Sequence, residues 1–195
     1  MTKLAESLEK NVLGGAVNIE KSLVPNMYPS FVYRPDGWDR DLPLMNTASM
    51  VSELAPLVLY LRHVVQEGDT LIIEEPEAHL HPAMQTALMR ELVKAVHAGI
   101  RIIITTHSEW MLETLGNLTL KSELPNRQGK SDCIKPEDVG VWLFKPREDD
   151  SGSVVQEIEF DQQTGFTPQQ HSDLIEALYN EWAGISSAIE DNKAQ

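Results

Sequence analysis

Two short apolar runs, Leu71–Ile73 and Ile100–Ile104, place the tightest constraint on what this chain can fold into. Each is too short for a helix and rich in isoleucine, so each reads as a strand with little polar alternation. Between them, Ala83 to His97 carries Leu88, Leu92, Val93 and Val96 at helical spacing, with Pro82 where a first helical turn tolerates a missing N–H. Strand, helix, strand with continuous apolar strands is the pattern of a parallel sheet covered on both faces. Ligands of such sheets gather beyond the carboxyl ends of the strands. Both runs end there in reactive groups: Glu74 and Glu75 after the first, Thr105, Thr106, His107 and Ser108 after the second. Adjacent parallel strands would hold these ends within about 10 Å, from a strand spacing of ~4.8 Å plus side-chain reach. A dry strand that ends in two carboxylates calls for a cation, a proton or open water at that end.

The remaining segments frame this unit. Leu4, Leu8 and Val12 have helical spacing over residues 2 to 13, and Gly14–Gly15 would stop that helix. The stretches at about 16–21 and 30–34 alternate and end in turn formers such as Pro35–Asp36–Gly37, which predicts short antiparallel strands. Val51 to about Gln66 predicts a largely buried helix, opened by Thr47, Ser49 or Ser52 and with Pro56 early in it or kinking it. Residues 116 to 138 are polar and turn-rich and read as a surface excursion. Val139–Lys145 and Val154–Phe160, around a charged Gly-containing turn, read as a β-hairpin, and Thr167 to Ile185 as an amphipathic helix before a frayed end. The predicted whole is a single α/β domain over 1–195.

Charge narrows the partners. Sixteen basic against thirty acidic residues give −14, so the surface repels phosphodiester backbones and direct nucleic-acid binding is disfavoured. The single cysteine, Cys133, cannot form an internal disulfide, which fits a reducing compartment and makes cytoplasm the expectation. No apolar run is long enough to span a bilayer as a helix.

The order TASMVSEL, long helix, TLIIEEPEAHLHP, second helix and IIITTHS resembles the second half of an ABC-type ATPase head. It is similar to the heads of the structural-maintenance-of-chromosomes (SMC), recombination-protein and overcoming-lysogenization-defect (OLD) groups, above all to prokaryotic OLD-like AAA ATPases, often found in phage-defence operons. The resemblance covers residues 40 to 110 most strongly. It implies a partial P-loop-NTPase parallel sheet with flanking helices and short antiparallel hairpins, divided into 1–48, a signature, Walker B and switch-histidine core over 49–110, and 111–195. It implies that Ser49 is the signature serine contacting the γ-phosphate held by an opposite protomer. Glu74 stands at the Walker B position that supports Mg²⁺ through its water shell, where an aspartate is more usual. Glu75 stands at the catalytic glutamate that orients the attacking water, Glu77 to His81 at the interface-crossing D-loop, and His107 at the switch histidine.

No G-x-x-x-x-G-K-[ST] occurs in the chain: Gly14–Gly15 lacks a following lysine, and Gly129–Lys130–Ser131 lacks the upstream glycine spacing. The resemblance therefore implies a Walker A half in another segment or chain, with ATP and Mg²⁺ used only in the complete assembly. The partners it implies are that half, a homodimer mate and an effector protein. The chain alone is expected to be inactive. Two other classes stand beside this reading: a non-catalytic interaction or regulatory module on a degenerate ATPase fold, and a metal-dependent hydrolase built on His79 and His81, with Glu75 or Glu77 adding an oxygen ligand. At single positions, Glu74–Glu77 can be a solvated acidic turn, His107 a loop histidine, Ser49 an ordinary helix cap, Cys133 incidental, and Trp110, Trp142 and Trp182 core or interface aromatics.

Overall fold

The computed structural model describes residues 1–21, 28–127, 130–147, 151–166, 177, 179–183 and 185. The chain forms two compact units, 1–135 and 136–195.

In the first unit, α1 (Thr2–Leu8) widens at Glu9 into a π-helical turn, Glu9–Leu13, which Gly14 ends in the left-handed region at φ 65°. Glycine takes that conformation without a Cβ penalty and donates to the Glu9 carbonyl at 2.8 Å. β1 (Gly15–Glu20) and β2 (Ser30–Pro35) then pair antiparallel as the alternation predicts, and β3 (Leu42–Pro43) adds a short third strand. The long helix α2 (Ser49–His63) continues through Pro56, buries Val51, Leu54, Leu57, Val58 and Leu61, and ends a little before the expected Gln66.

The parallel unit follows as read: β4 (Thr70–Glu74), α3 (Pro82–His97) and β5 (Arg101–Thr105), with Ile72 opposite Ile103 and Glu74 opposite Thr105. Its cover differs from the expectation of two covered faces. Leu71 lies among Leu4 and Leu8 of α1, Leu57 and Leu61 of α2, and Leu92 and Ala95 of α3, so helices cover one face. On the other face Ile72 is 68% and Ile103 54% exposed. The continuous apolar runs are real, but among the described residues only one of their two faces is packed.

The polar stretch from 116 is also not an excursion at its start. Helix α4 (Glu109–Ser122) runs through it, with Leu118, Thr119 and Ser122 buried. Thr119 Oγ1 donates to the Leu115 carbonyl at 2.9 Å and Ser122 Oγ to that of Thr119 at 2.7 Å, so hydroxyls that read as loop formers are satisfied inside the helix. The chain then folds back: Ile134 N–H donates to the Leu118 carbonyl, and Cys133 is buried.

In the second unit, β6 (Trp142–Pro146) and β7 (Ser153–Glu157) form the predicted hairpin, with Phe144 opposite Val155. Phe160 packs against Phe166 with ring centroids 5.2 Å apart. The helix expected over 167–185 lies mostly outside the described residues; 179–183 are helical. Trp110, Trp142 and Trp182 are all exposed, so none is a core aromatic. Among the described residues no helix is long and apolar enough to cross a membrane.

Candidate functional site

The site begins where β4 stops. Glu74 keeps its ladder position opposite Thr105, and alternation puts it on the open face with Ile72. Glu75 leaves the strand with φ 42°, a conformation costly for a residue with a Cβ, and its N–H donates to the Thr105 carbonyl at 2.9 Å. A tight turn follows, with Ala78 N–H on the Glu75 carbonyl, Leu80 N–H on the Glu77 carbonyl, and His79 again left-handed at φ 60°. These bonds swing the chain out of the sheet and into α3, which Pro82 opens and His81 caps by accepting from Ala83 N–H at 3.3 Å.

The carboxyl end of β5 is built to match. Ser108 caps α4, its Oγ accepting from Met111 N–H at 3.1 Å and donating to Gln85 Oε1 of α3 at 2.5 Å. Just before it stands His107, whose imidazole is 89% exposed and whose Nε2 lies 3.8 Å from Glu75 Oε1. That spacing is close but longer than a hydrogen bond, so both atoms remain free to face a third group. The two strand ends thus bring together Glu75 and His107, as the sequence order predicted, with Glu74 one residue upstream.

Ser49 occupies a different place. It is the first residue of α2 and exposed, while Ala48 stands at the cap position and no side chain caps that helix. Its hydroxyl therefore does not act as an ordinary N-cap.

The segment Glu77 to His81, expected to be a D-loop on the surface, departs from that expectation. Glu77 and Leu80 are buried, at 9% and 6% exposure. Glu77 Oε1 accepts from Thr106 Oγ1 at 2.6 Å and from His107 N–H at 2.7 Å. Sequence reasoning placed this carboxylate at a dimer interface and missed its internal role; a lone acidic residue in an acidic turn carries no signal of burial. His79 Nδ1 pairs with Glu53 Oε1 of α2 at 2.8 Å. With His79 paired there and His81 capping α3, the metal-hydrolase arrangement does not assemble. Among the described residues no group of three or more His, Cys, Asp or Glu side chains is placed to hold a metal ion.

A family profile for the AAA ATPase domain matches residues 2–112, more than half of the chain. The chain belongs to the AAA ATPase domain family. Ser49, Glu74, Glu75 and His107 all fall within the matched span. The fold of this AAA ATPase domain is similar to those of SMC ATPase heads. One comes from work on ATP-driven dimerisation and DNA-stimulated activation of SMC ATPases: 10% identity, TM-score 0.52, covering 91% of this chain and 94% of that one. A second is an Smc head bound to the C-terminal winged-helix domain of ScpA: 12% identity, TM-score 0.54, covering 82% of this chain and 42% of that one. A third is an Smc head with an extended coiled coil, bound to the C-terminal domain of ScpA derived from Pyrococcus furiosus: 12% identity, TM-score 0.50, covering 90% and 36%. The AAA ATPase domain thus spans less than half the length of these last two chains.

Proposed function

We propose that this AAA ATPase domain supplies the signature, Walker B and switch-histidine half of an ABC-type ATP hydrolysis site, completed by a phosphate-binding loop on another segment or chain. The observation that carries this reading is the placement of Glu75 and His107 at the ends of adjacent parallel strands, 3.8 Å apart and open to solvent. Glu75 accepts a proton-bearing contact from the attacking water and orients it, and His107 donates to the γ-phosphate. Ser49, at the uncapped start of α2, faces the γ-phosphate of a second protomer through its hydroxyl and the helix N–H groups. This role for Ser49 calls for a dimer, a reading that the ATP-driven dimerisation studied for SMC ATPases supports.

The donor set suits Mg²⁺ in one particular way. Glu74 and Glu75 are exposed carboxylates with no third protein ligand among the described residues, and Mg²⁺ keeps several waters and takes one or two carboxylates plus substrate phosphates. Glu74 would support it through water, with one methylene more reach than an aspartate. When bound, Mg²⁺ neutralises charge on the β- and γ-phosphates. An OLD-like setting, a phage-defence or DNA-repair task, and an effector protein docked on the head extend this proposal.

The test is Glu75→Gln in the assembly that holds the phosphate-binding half. Turnover is expected to fall by at least ~10²-fold with ATP binding retained, because only the proton-accepting and water-orienting carboxylate is lost. Unchanged turnover would show that Glu75 is a solvated turn residue, and the non-catalytic module would then stand.

A further inference from the structure

The loop after β5 is held by a carboxylate from the loop after β4. Glu77 is nine-tenths buried, and a single oxygen, Oε1, accepts two donors from consecutive residues: the Thr106 hydroxyl at 2.6 Å and the His107 N–H at 2.7 Å. Thr106 Oγ1 in turn accepts from Ser108 N–H at 3.0 Å, and Ser108 is anchored to Gln85 of α3. Gln85 closes the ring by donating from Nε2 to the Leu80 carbonyl at 2.9 Å, in the same turn as Glu77. The other carboxylate oxygen, Oε2, is buried with no hydrogen-bond partner among the described residues. Desolvating a carboxylate to this depth is costly unless its hydrogen bonds return the energy, and here both bonds are charge-assisted and converge on one short loop. The imidazole they carry is otherwise unsupported, since it is 89% exposed and out of hydrogen-bond range of Glu75.

We propose that Glu77 is the positioning residue for His107: it fixes the backbone from which the exposed imidazole projects, and so sets the imidazole's distance from Glu75. This deepens the ATP-hydrolysis reading and rests on it. Glu77 touches neither water nor phosphate in this role; it acts through His107. Because the same carboxylate lies two residues after Glu75, separated only by Pro76, a displacement of either strand end is passed to the other through one buried group. Positional errors of about 1 Å at a reacting centre cost on the order of 10²-fold in rate, which sets the scale of the effect.

The experiment compares Glu77→Ala, Glu77→Gln and Thr106→Val, with Glu75→Gln alongside, in the complete ATPase with Mg·ATP, and follows amide exchange at His107 in this chain alone. Glu77→Ala is expected to lower kcat by roughly 10²-fold with KM for ATP changed by less than about threefold, because placement of the imidazole and not substrate affinity is lost. Glu77→Gln, whose amide oxygen accepts from the same two donors, is expected to recover most of the lost rate. Thr106→Val, which removes one donor and keeps the side-chain shape, should fall between them. In the chain alone, Glu77→Ala should abolish protection of the His107 amide while amides of β4 and β5 stay protected, and Glu77→Gln should retain it. Two results overturn the proposal: a Glu77→Ala kcat within threefold of the parent where Glu75→Gln is inactive, or His107 protection that survives Glu77→Ala. If Glu75→Gln itself leaves turnover intact, the hydrolysis reading fails separately, and His107 exchange still decides whether Glu77 holds this loop. A Glu77→Ala chain that does not fold leaves the decision to Thr106→Val, for which unchanged kcat together with unchanged His107 protection would refute the positioning role.

Discussion

Asp161 Oδ1 collects three donors within a single turn: Gln163 N–H at 2.7 Å, Thr164 N–H at 2.8 Å and Thr164 Oγ1 at 3.1 Å. Hydrogen bonds to the ionised form favour it, so the Thr164 amide, then the Gln163 amide and the Thr164 hydroxyl hold this carboxyl below the ordinary aspartate value. A group lowered in the folded state contributes stability that is fully present above its unfolded pKa and is lost as pH falls through its folded one. The turn should therefore persist at pH 5 and loosen only below the ordinary aspartate range near ~4. Carboxyl titration by NMR should place the Asp161 midpoint below that range, with the Thr164 amide shift fading at the same pH. A midpoint at or above the ordinary value would refute the assignment. The same rule operates at the functional site, where one short acidic side chain decides the geometry of the donors around it.

Elements are joined in this fold by a few buried charges. Glu9, in the π-helical turn, accepts from Val17 N–H of β1 at 2.6 Å and from Arg62 Nη2 of α2 at 2.5 Å, while Arg62 Nη1 donates to the Val17 carbonyl at 2.6 Å. Both side chains are largely buried, at 8% and 16% exposure. Removing one partner of such a pair leaves an uncompensated buried charge, so Arg62→Met should destabilise the first unit by about 3–5 kcal/mol. The double variant Glu9→Gln with Arg62→Met should recover part of that loss, since no lone carboxylate remains. Urea unfolding of the two variants measures the difference; equal stability of the single variant and the parent would refute it. A second link, His79 to Glu53, ties the turn after β4 to α2 one helical turn beyond Ser49. The two places proposed to meet phosphate are thus joined by a surface contact between His79 and Glu53.

At the scale of the whole molecule, the open face of the parallel sheet dominates behaviour. A two-stranded parallel sheet with one bare apolar face departs from the usual burial of such sheets, and Ile72 and Ile103 are the side chains left in water. The chain alone should self-associate, and Ile72→Lys combined with Ile103→Lys should reduce the association seen by sedimentation. An unaltered monomer–oligomer balance would show that the face is not the cause. In the same preparations calorimetry should detect no micromolar ATP binding with Mg²⁺, because in the proposed function Glu75 and His107 act only on a phosphate already held in place. Tight binding by this chain alone would overturn the need for a second half.

The sequence by itself determined the strand–helix–strand unit and the meeting of Glu75 with His107. Continuous isoleucine runs around a periodic helix leave little freedom except parallel pairing, and parallel strands carry their carboxyl ends to one edge. It also determined the two antiparallel pairings, through alternation and turn residues. Tertiary structure alone decided which groups are dry. Glu9 and Glu77 carry the same acidic letter as exposed Glu74 and Glu75, yet the first two are buried because donors from distant segments, Arg62 and Thr106–His107, arrive to meet them. The same limit hid the extension of α4, whose serine and threonine read as loop until their hydroxyls are seen bonded to the helix's own carbonyls. Local pattern sets period and pairing; burial of a polar group depends on partners far away in the chain, and only the folded arrangement brings them together.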